Sequence, residues 1–306
     1  MTDPSRPYCA AVDWGTSSFR LWLLDAEGAV VASSRSEEGM MHCAKTGFEP
    51  VLNAHLEKVE APAGTPVLIC GMAGARQGWL EAPYVEVPAK LAALADRAIK
   101  VPGVPGDVRI LPGLSLNDPQ APNVMRGEET QLLGVVSESG NALVCMPGTH
   151  SKWVEIENGV VTRFSTFMTG ELFSLLTKHG ILQHAVEEKA VVSSDDAAFW
   201  SALERTEVQE HAALSGFFGV RAAQLLGLET RGDGAAHLSG LLIGGEISAA
   251  RELFGMEGKV TLIASEPVNA LYSVALEKQG FQVVSKDAGE ASRAGLFRSA
   301  KRIWSR

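Results

Sequence analysis

One pattern occurs twice in this chain, and it restricts the folds open to it. Tyr8 to Asp13 is an apolar run that enters the polar turn Trp14-Gly-Thr-Ser-Ser18, and Phe19 to Leu24 leaves that turn as a second strand-like run. Asp25-Ala-Glu-Gly28 reverses the chain, and Ala29 to Ser33 reads as a third strand. After residue 140 the same order returns. Asn141 to Met146 is a strand, Pro147-Gly-Thr-His-Ser151 a loop, Lys152 to Ile156 the outgoing strand, Asn158-Gly159 a hairpin turn, and Val160 to Phe164 the third strand. The echo extends further. Pro66 to Cys70 runs into Gly71-Met-Ala-Gly74, and Leu238 to Ile243 reads as a strand running into Gly244-Gly245 and a helical stretch from Glu246 to Phe254. Beyond it come a strand (Lys259 to Ala264), a helix (Glu266 to Gln279), a strand (Phe281 to Ser285) and a last helix (Ala288 to Trp304). This predicts two α/β domains of related topology, 1–139 and 140–306, parting near Gly140 after the helix-like Glu128 to Ser137. The final helix, 288–304, is expected to pack back on the N-terminal domain.

The length of 306 residues agrees, at about 150 residues per domain. A net charge of -9 argues against broad binding to nucleic acid or an anionic membrane, yet leaves room for a local basic pocket. Cys9, Cys43, Cys70 and Cys145 form no Cys-x-x-Cys pair, so a zinc site has little support. Cys9, Cys70 and Cys145 lie in apolar runs where inert buried thiols are usual, which points to a reducing cytoplasm. Met1 to Pro7 is polar and lacks the apolar region of a secretory signal, and no run approaches the length of a membrane span.

The two Gly-Thr loops have a chemistry in common. Glycine lets the backbone approach an oxyanion, consecutive N–H groups point at it, and the threonine hydroxyl adds a donor. Gly15, Thr16 and Ser17 in the first loop, and Gly148, Thr149 and His150 in the second, are therefore expected phosphate contacts. Facing each other across a cleft they would clamp a polyphosphate, as phosphoryl transfer requires. Asp13, at the strand end before the first loop, is placed to hold Mg²⁺ directly or through water. Lys152 flanks the second loop and could reach a phosphate or the substrate as a point charge. Glu128 and Glu129 open a helix, where acids are favoured anyway. Adjacent helical residues are about 100° apart, so only one of them should face inward, and Glu129 is the expected one. Thr169 is placed to cap a short helix.

These segments carry a resemblance. Asp13-Trp-Gly-Thr-Ser-Ser-Phe-Arg20 resembles the first phosphate motif of the actin, Hsp70 and sugar-kinase superfamily. More narrowly, the chain resembles the 2-dehydro-3-deoxygalactonokinase family. The matching segments are Ala11 to Arg20, Cys70-Gly-Met-Ala-Gly-Ala-Arg-Gln-Gly-Trp79, Met125 to Gln131, Met146 to Trp153, Phe167 to Phe173 and Ile243-Gly-Gly-Glu246. The resemblance implies two ribonuclease-H-like, actin-like ATPase domains with ATP in the cleft between them. It implies Mg²⁺-dependent phosphorylation of 2-dehydro-3-deoxy-D-galactonate at its terminal hydroxyl, in galactonate breakdown. Gly244 and Gly245 would then lie against the adenosine or its phosphates. Arg20 and Arg76 are the candidates for the sugar-acid carboxylate, which a guanidinium can hold through two parallel hydrogen bonds. Gln77 and Trp79 would help line that pocket. Either Asp13 or Glu129 would accept the hydroxyl proton. The Glu-Glu segment also resembles that of exopolyphosphatases, so a phosphohydrolase on the same fold is the first alternative. An actin- or Hsp70-like nucleotide switch is the second. A small sugar acid is the expected partner, with no nucleic acid or membrane, and a homodimer is the default assembly.

Overall fold

In the computed structural model, residues 7–187, 190–208, 212–255 and 258–305 are described. The polar stretch Met1 to Arg6, read above as carrying no signal sequence, lies outside them. In chain order the elements are β1 (Cys9–Trp14), β2 (Phe19–Leu24), β3 (Val30–Ser36), α1 (Met40–Thr46), α2 (Phe48–Lys58), β4 (Val67–Gly71), β5 (Val85–Glu86), β6 (Ala89–Lys90), β7 (Ile99–Lys100), β8 (Val108–Ile110), β9 (Leu114–Leu116), β10 (Asn123–Met125) and α3 (Glu128–Val135). They continue as β11 (Ala142–Met146), β12 (Ser151–Glu157), β13 (Val160–Phe167), α4 (Thr169–Lys178), α5 (Ala197–Val208), α6 (Ala212–Leu225), α7 (Arg231–Phe254), β14 (Lys259–Ala264), α8 (Val268–Lys278), β15 (Gln282–Asp287) and α9 (Ala288–Trp304). The chain divides into two compact units. One comprises Met1–Asn141, Ile156–Arg163 and Ala288–Arg306; the other comprises Ala142–Glu155 and Phe164–Asp287.

The first unit is built on a sheet ordered β3-β2-β1-β4-β8-β7. β1 pairs antiparallel with β2 and parallel with β4, and β4 pairs parallel with β8. The alternation of β1 explains why its sequence is almost wholly apolar. Ala10, Val12 and Trp14 face a core with Phe48, Val51 and Leu52 of α2. Cys9 and Ala11 face a second core with Leu296 and Ala300 of α9. A strand covered on both faces reads as a continuous apolar run. Helix α9 packs closely on α3. A Cβ on Gly295 would lie 1.8 Å from the carbonyl oxygen of Thr130, and one on Gly134 would lie 2.0 Å from that of Ala291. The hairpin tip 156–163 belongs to this unit, where Val160 and Val161 pair with Lys90 and Ala89.

The second unit carries strands in the order β15-β14-β11-β12-β13. β11 pairs parallel with β14, and β14 parallel with β15. Position for position, this repeats the order β8-β4-β1-β2-β3 of the first unit. It is the ribonuclease-H-like strand order, as the resemblance implied, and it is present twice, in keeping with the repeat in the sequence. Trp153, Leu262 and Cys145 pack with Phe199 and Leu203 of α5, Ile243 and Ile247 of α7, and Leu276 of α8. Helix α7 starts with a capping box, in which Asp233 N–H donates to Thr230 Oγ1 and Thr230 N–H to Asp233 Oδ2.

One expected element is corrected. Leu238 to Ile243 is not a strand ending at Gly244-Gly245 but the middle of helix α7. This stretch is buried on all sides, so its apolar residues carry no helical periodicity, and a short apolar run cannot then be told from a strand. The counterpart of β4 is instead β14, which stands beside β11 as β4 stands beside β1. Among the described residues, no helix is long and apolar enough to cross a membrane.

Candidate active site

In the first unit, the loop after β1 is pinned by its backbone. Gly15 N–H donates to Ser18 O, and the N–H groups of Met40 and Met41 donate to the carbonyls of Gly15 and Thr16. Thr16 and Ser17 are exposed at its tip. Asp13, half-buried at the strand end, accepts a hydrogen bond from Ser292 Oγ of α9 at 3.1 Å. Gln131 Nε2 of α3 in turn donates to Ser292 Oγ at 3.2 Å. Burial pushes the Asp13 carboxyl up from the usual range, while the Arg20 guanidinium and the Ser292 hydroxyl pull it down. Arg20 is the cross-strand partner of Asp13 in the β1–β2 ladder.

Glu128 and Glu129 start α3 after Gly127, whose φ of 108° favours glycine. Glu129 is 1% exposed and turns into the protein. Its carboxyl accepts from Gly127 N–H at 2.7 Å and Thr130 Oγ1 at 3.1 Å. Burial, with the neighbouring Glu128, pushes its pKa up to about 8. Glu128 is half-buried, accepts from Arg126 N–H, and is close enough to Asp13 to raise its pKa. Arg76 and Gln77 are exposed, and the Arg76 side chain stands 3.9 Å from Glu81. Trp79 packs its ring on Phe48 at 5.9 Å and Trp14 at 6.1 Å, so it belongs to the core. Among the described residues no group of three or more His, Cys, Asp or Glu could hold a metal alone. Mg²⁺ asks less, since it binds through one or two carboxylates, water and substrate phosphates, and the half-exposed Asp13 fits that set.

In the second unit, the loop after β11 leads into a cavity of about 500 Å³. Gly148, Thr149 and Gly170 line one part of it; Leu242 and Ile243 of α7 and Leu271 of α8 form apolar walls. That volume and mixture suit a small organic ligand with one polar end. The loop is tied to the start of α4. Glu171 N–H donates to Thr149 O at 3.0 Å, and Glu171 Oε2 meets His150 Nε2 at 2.5 Å. Gly170 passes so close that a Cβ there would lie 2.4 Å from Gly148 O. Lys152 is buried, and its ammonium donates to His150 O at 2.9 Å, bracing the loop from within.

The structure gives two sets of expected residues in this unit other neighbours. Gly244 and Gly245 do not line this cavity. A Cβ on Gly244 would meet Thr206 Oγ1 of α5 at 2.1 Å, and one on Gly245 would meet Ala213 of α6 at 2.9 Å. Both allow neighbouring helices to approach α7. Thr169 is the first residue of α4 rather than its cap, which is Met168, and its hydroxyl donates to Glu246 instead. Sequence reasoning singled out neither Ser292, for which the sequence holds no signal, nor Glu246. A lone acid inside the apolar stretch Leu238 to Ile247 was a signal for the latter, because a buried carboxylate must have partners.

The family model described as 2-keto-3-deoxy-galactonokinase matches residues 13–299, nearly the whole chain. The chain belongs to the 2-keto-3-deoxy-galactonokinase family. A relative from Rhizobium meliloti (strain 1021), named a probable 2-dehydro-3-deoxygalactonokinase, is 53% identical over 299 residues, 97% of this chain and 98% of its own. The 2-dehydro-3-deoxygalactonokinase of Escherichia coli (strain K12) is 35% identical over 287 residues, 94% of this chain and 95% of its own. A crystal structure of a Sinorhizobium meliloti protein described as a 2-dehydro-3-deoxygalactonokinase superposes with a TM-score of 0.93 at 53% identity, covering 97% of this chain and 99% of that one. As a member of the 2-keto-3-deoxy-galactonokinase family, the protein is a carbohydrate kinase, a transferase of phosphoryl groups to an alcohol.

Proposed function

We propose that the protein transfers the γ-phosphoryl group of ATP to the terminal hydroxyl of 2-dehydro-3-deoxy-D-galactonate, a step in galactonate breakdown. The observation that carries this reading is the likeness, over nearly the whole chain, to two kinases named for that substrate. The cavity of the second unit supports ATP as the donor. Its apolar walls suit a nucleoside, and Gly148 and Thr149, which line it, belong to a Gly-Thr loop of the kind whose backbone N–H groups bind an anion.

In this reading Gly148, Thr149 and His150 hold nucleotide phosphates, and Gly15, Thr16 and Ser17 do the same from the first unit. Mg²⁺ would be held at Asp13, where it neutralises charge on the phosphates. Asp13 or Glu129 takes the proton of the attacking hydroxyl. The exposure of Asp13 favours it, whereas Glu129 is sealed and, with a pKa of about 8, carries its own proton at neutral pH. Arg20 or Arg76 pairs with the sugar-acid carboxylate, and Lys152 holds the second loop in shape. The four free cysteines are all buried, which agrees with a reducing cytoplasm. A homodimer is the proposed assembly, and light scattering tests it.

A coupled assay of ATP consumption, run over a panel of 2-keto-3-deoxy sugar acids and neutral sugars, tests the reading. The galactonate-derived acid should give the highest kcat/KM. Phosphate release from ATP that does not depend on any sugar acid would favour a phosphohydrolase instead. Arg20→Ala and Arg76→Ala tell the two arginines apart, because the one that pairs with the carboxylate should raise KM for the acid and leave that for ATP.

A further inference from the structure

Glu246 carries a dense set of hydrogen bonds in the second unit, and no step of the proposed reaction uses it. It stands on α7, 4% exposed, within an otherwise apolar and glycine-rich run. Its carboxylate receives four hydrogen bonds. Ser151 Oγ at 2.6 Å and Trp153 Nε1 at 2.9 Å donate to Oε1. Tyr272 OH at 2.6 Å and Thr169 Oγ1 donate to Oε2. An ionised carboxylate has about four acceptor sites and no donor, so these four partners saturate it. Burial pushes the Glu246 carboxyl upward, and the four donors act against that shift. The donors favour the ionised form and burial favours the protonated one, and in either form the carboxyl ties its four partners together.

A buried carboxyl is costly unless it is hydrogen-bonded, and the identity of its four partners suggests why it is there. Ser151 directly follows the loop that ends at His150, and Trp153 continues the same strand. Thr169 opens α4, whose next two residues are stitched to that loop: Gly170 packs on Gly148, and Glu171 binds both the Thr149 carbonyl and the His150 ring. Thr169 and Tyr272 both line the cavity of about 500 Å³. One carboxylate thus fixes the strand leaving the loop, the helix that meets the loop, and a ring of the apolar wall.

We propose that Glu246 is a positioning residue for nucleotide phosphates. It holds the 147–150 loop and the first turn of α4 as a single anion-binding rim, without touching the nucleotide. This rests on reading the cavity as the ATP site. Glu246→Gln keeps the size of the side chain but removes its charge and replaces an acceptor oxygen by an NH₂ group, which cannot accept from the two groups now bonded to that oxygen. Hydrogen bonds to charged groups are worth roughly 1.5–3 kcal/mol, so about tenfold or more should be lost in affinity for ligands that need the rim.

The experiment is calorimetric titration of the full-length protein and its variants with adenosine, ADP and ATP. In Glu246→Gln, ATP and ADP should bind about tenfold or more weakly, adenosine should bind nearly as in the parent, and KM for the sugar acid should not move. Thr169→Val removes one of the four donors, should show the same phosphate-dependent loss in smaller measure, and serves if Glu246→Gln fails to fold. Equal weakening of adenosine and ATP, or unchanged ATP affinity, would overturn the assignment. A parent protein that binds ATP with Thr149→Ala and Gly170→Val having no effect would overturn the placement of ATP in this cavity, and the role of Glu246 with it.

Discussion

Ser292 Oγ donates to Asp13 Oδ2 at 3.1 Å, joining two residues 279 positions apart. The contact exists because α9 lies tight against α3, with Gly134 and Gly295 at the crossing. Ser292 is itself 1% exposed and also receives Gln131, so it holds the acid at the end of β1 in one orientation. Removing it in Ser292→Ala takes away a bond that favours the ionised form of Asp13. The Asp13 pKa should rise, and the acidic limb of the pH–rate profile should move to higher pH. A profile from pH 5 to 9 checks this.

Asp13→Asn keeps the shape of the side chain and removes its charge. Loss of a preorganised charge-stabilising group typically costs on the order of 10²–10³ in kcat. We expect a loss of that size with ATP binding retained, measured by steady-state kinetics beside calorimetric titration.

Glu129 makes the stability of the fold depend on pH. Its folded pKa of about 8 lies well above that of an unfolded glutamate, near 4.3. The folded state therefore holds the proton more tightly. The stability this provides is fully present below about pH 4 and is lost as pH rises through 8. Glu129→Gln mimics the protonated acid, so thermal unfolding should show a flatter decline in Tm from pH 5 to 9 than the parent.

Gly244→Ala distinguishes packing from ligand contact. The added methyl carbon would lie 2.1 Å from Thr206 Oγ1, an overlap of the kind that costs about 1–3 kcal/mol. Denaturant unfolding should show that loss, while KM for ATP in the remaining folded enzyme stays near the parent value.

Much of this architecture was legible in the sequence because its signals are local. Asp13-Trp-Gly-Thr is polar between two apolar runs, and so is Pro147-Gly-Thr-His; each marks a hairpin at the end of a central strand. Helix α9 was legible from Ala288 to Trp304. The end of helix α7, Glu246 to Phe254, was legible too, but Leu238 to Ile243 before it was not, because burial on every side erased the periodicity that separates helix from strand. Thr169 read as a cap because a hydroxyl at a helix start usually is one; only the fold brings Glu246, 77 residues away, beneath it. Arg76 looked like a pocket residue from its glycine-rich surroundings, yet its side chain stands largely in solvent beside Glu81. The sequence marks where polar groups gather but not which way each one points.

The cover that α9 gives to β1 and β4 also sets an order of events during synthesis. Cys9, Ala11, Leu68 and Cys70 emerge from the ribosome early, but Leu296 and Ala300, which shield them, come only after the whole second unit has been translated. At roughly 5–20 residues per second, that face stays bare for on the order of ten seconds or more. The nascent first unit is thus exposed to chaperones or to misassociation until the final helix arrives, and a chain terminated after Asp287 would lose both its shield and the hydroxyl that orients Asp13.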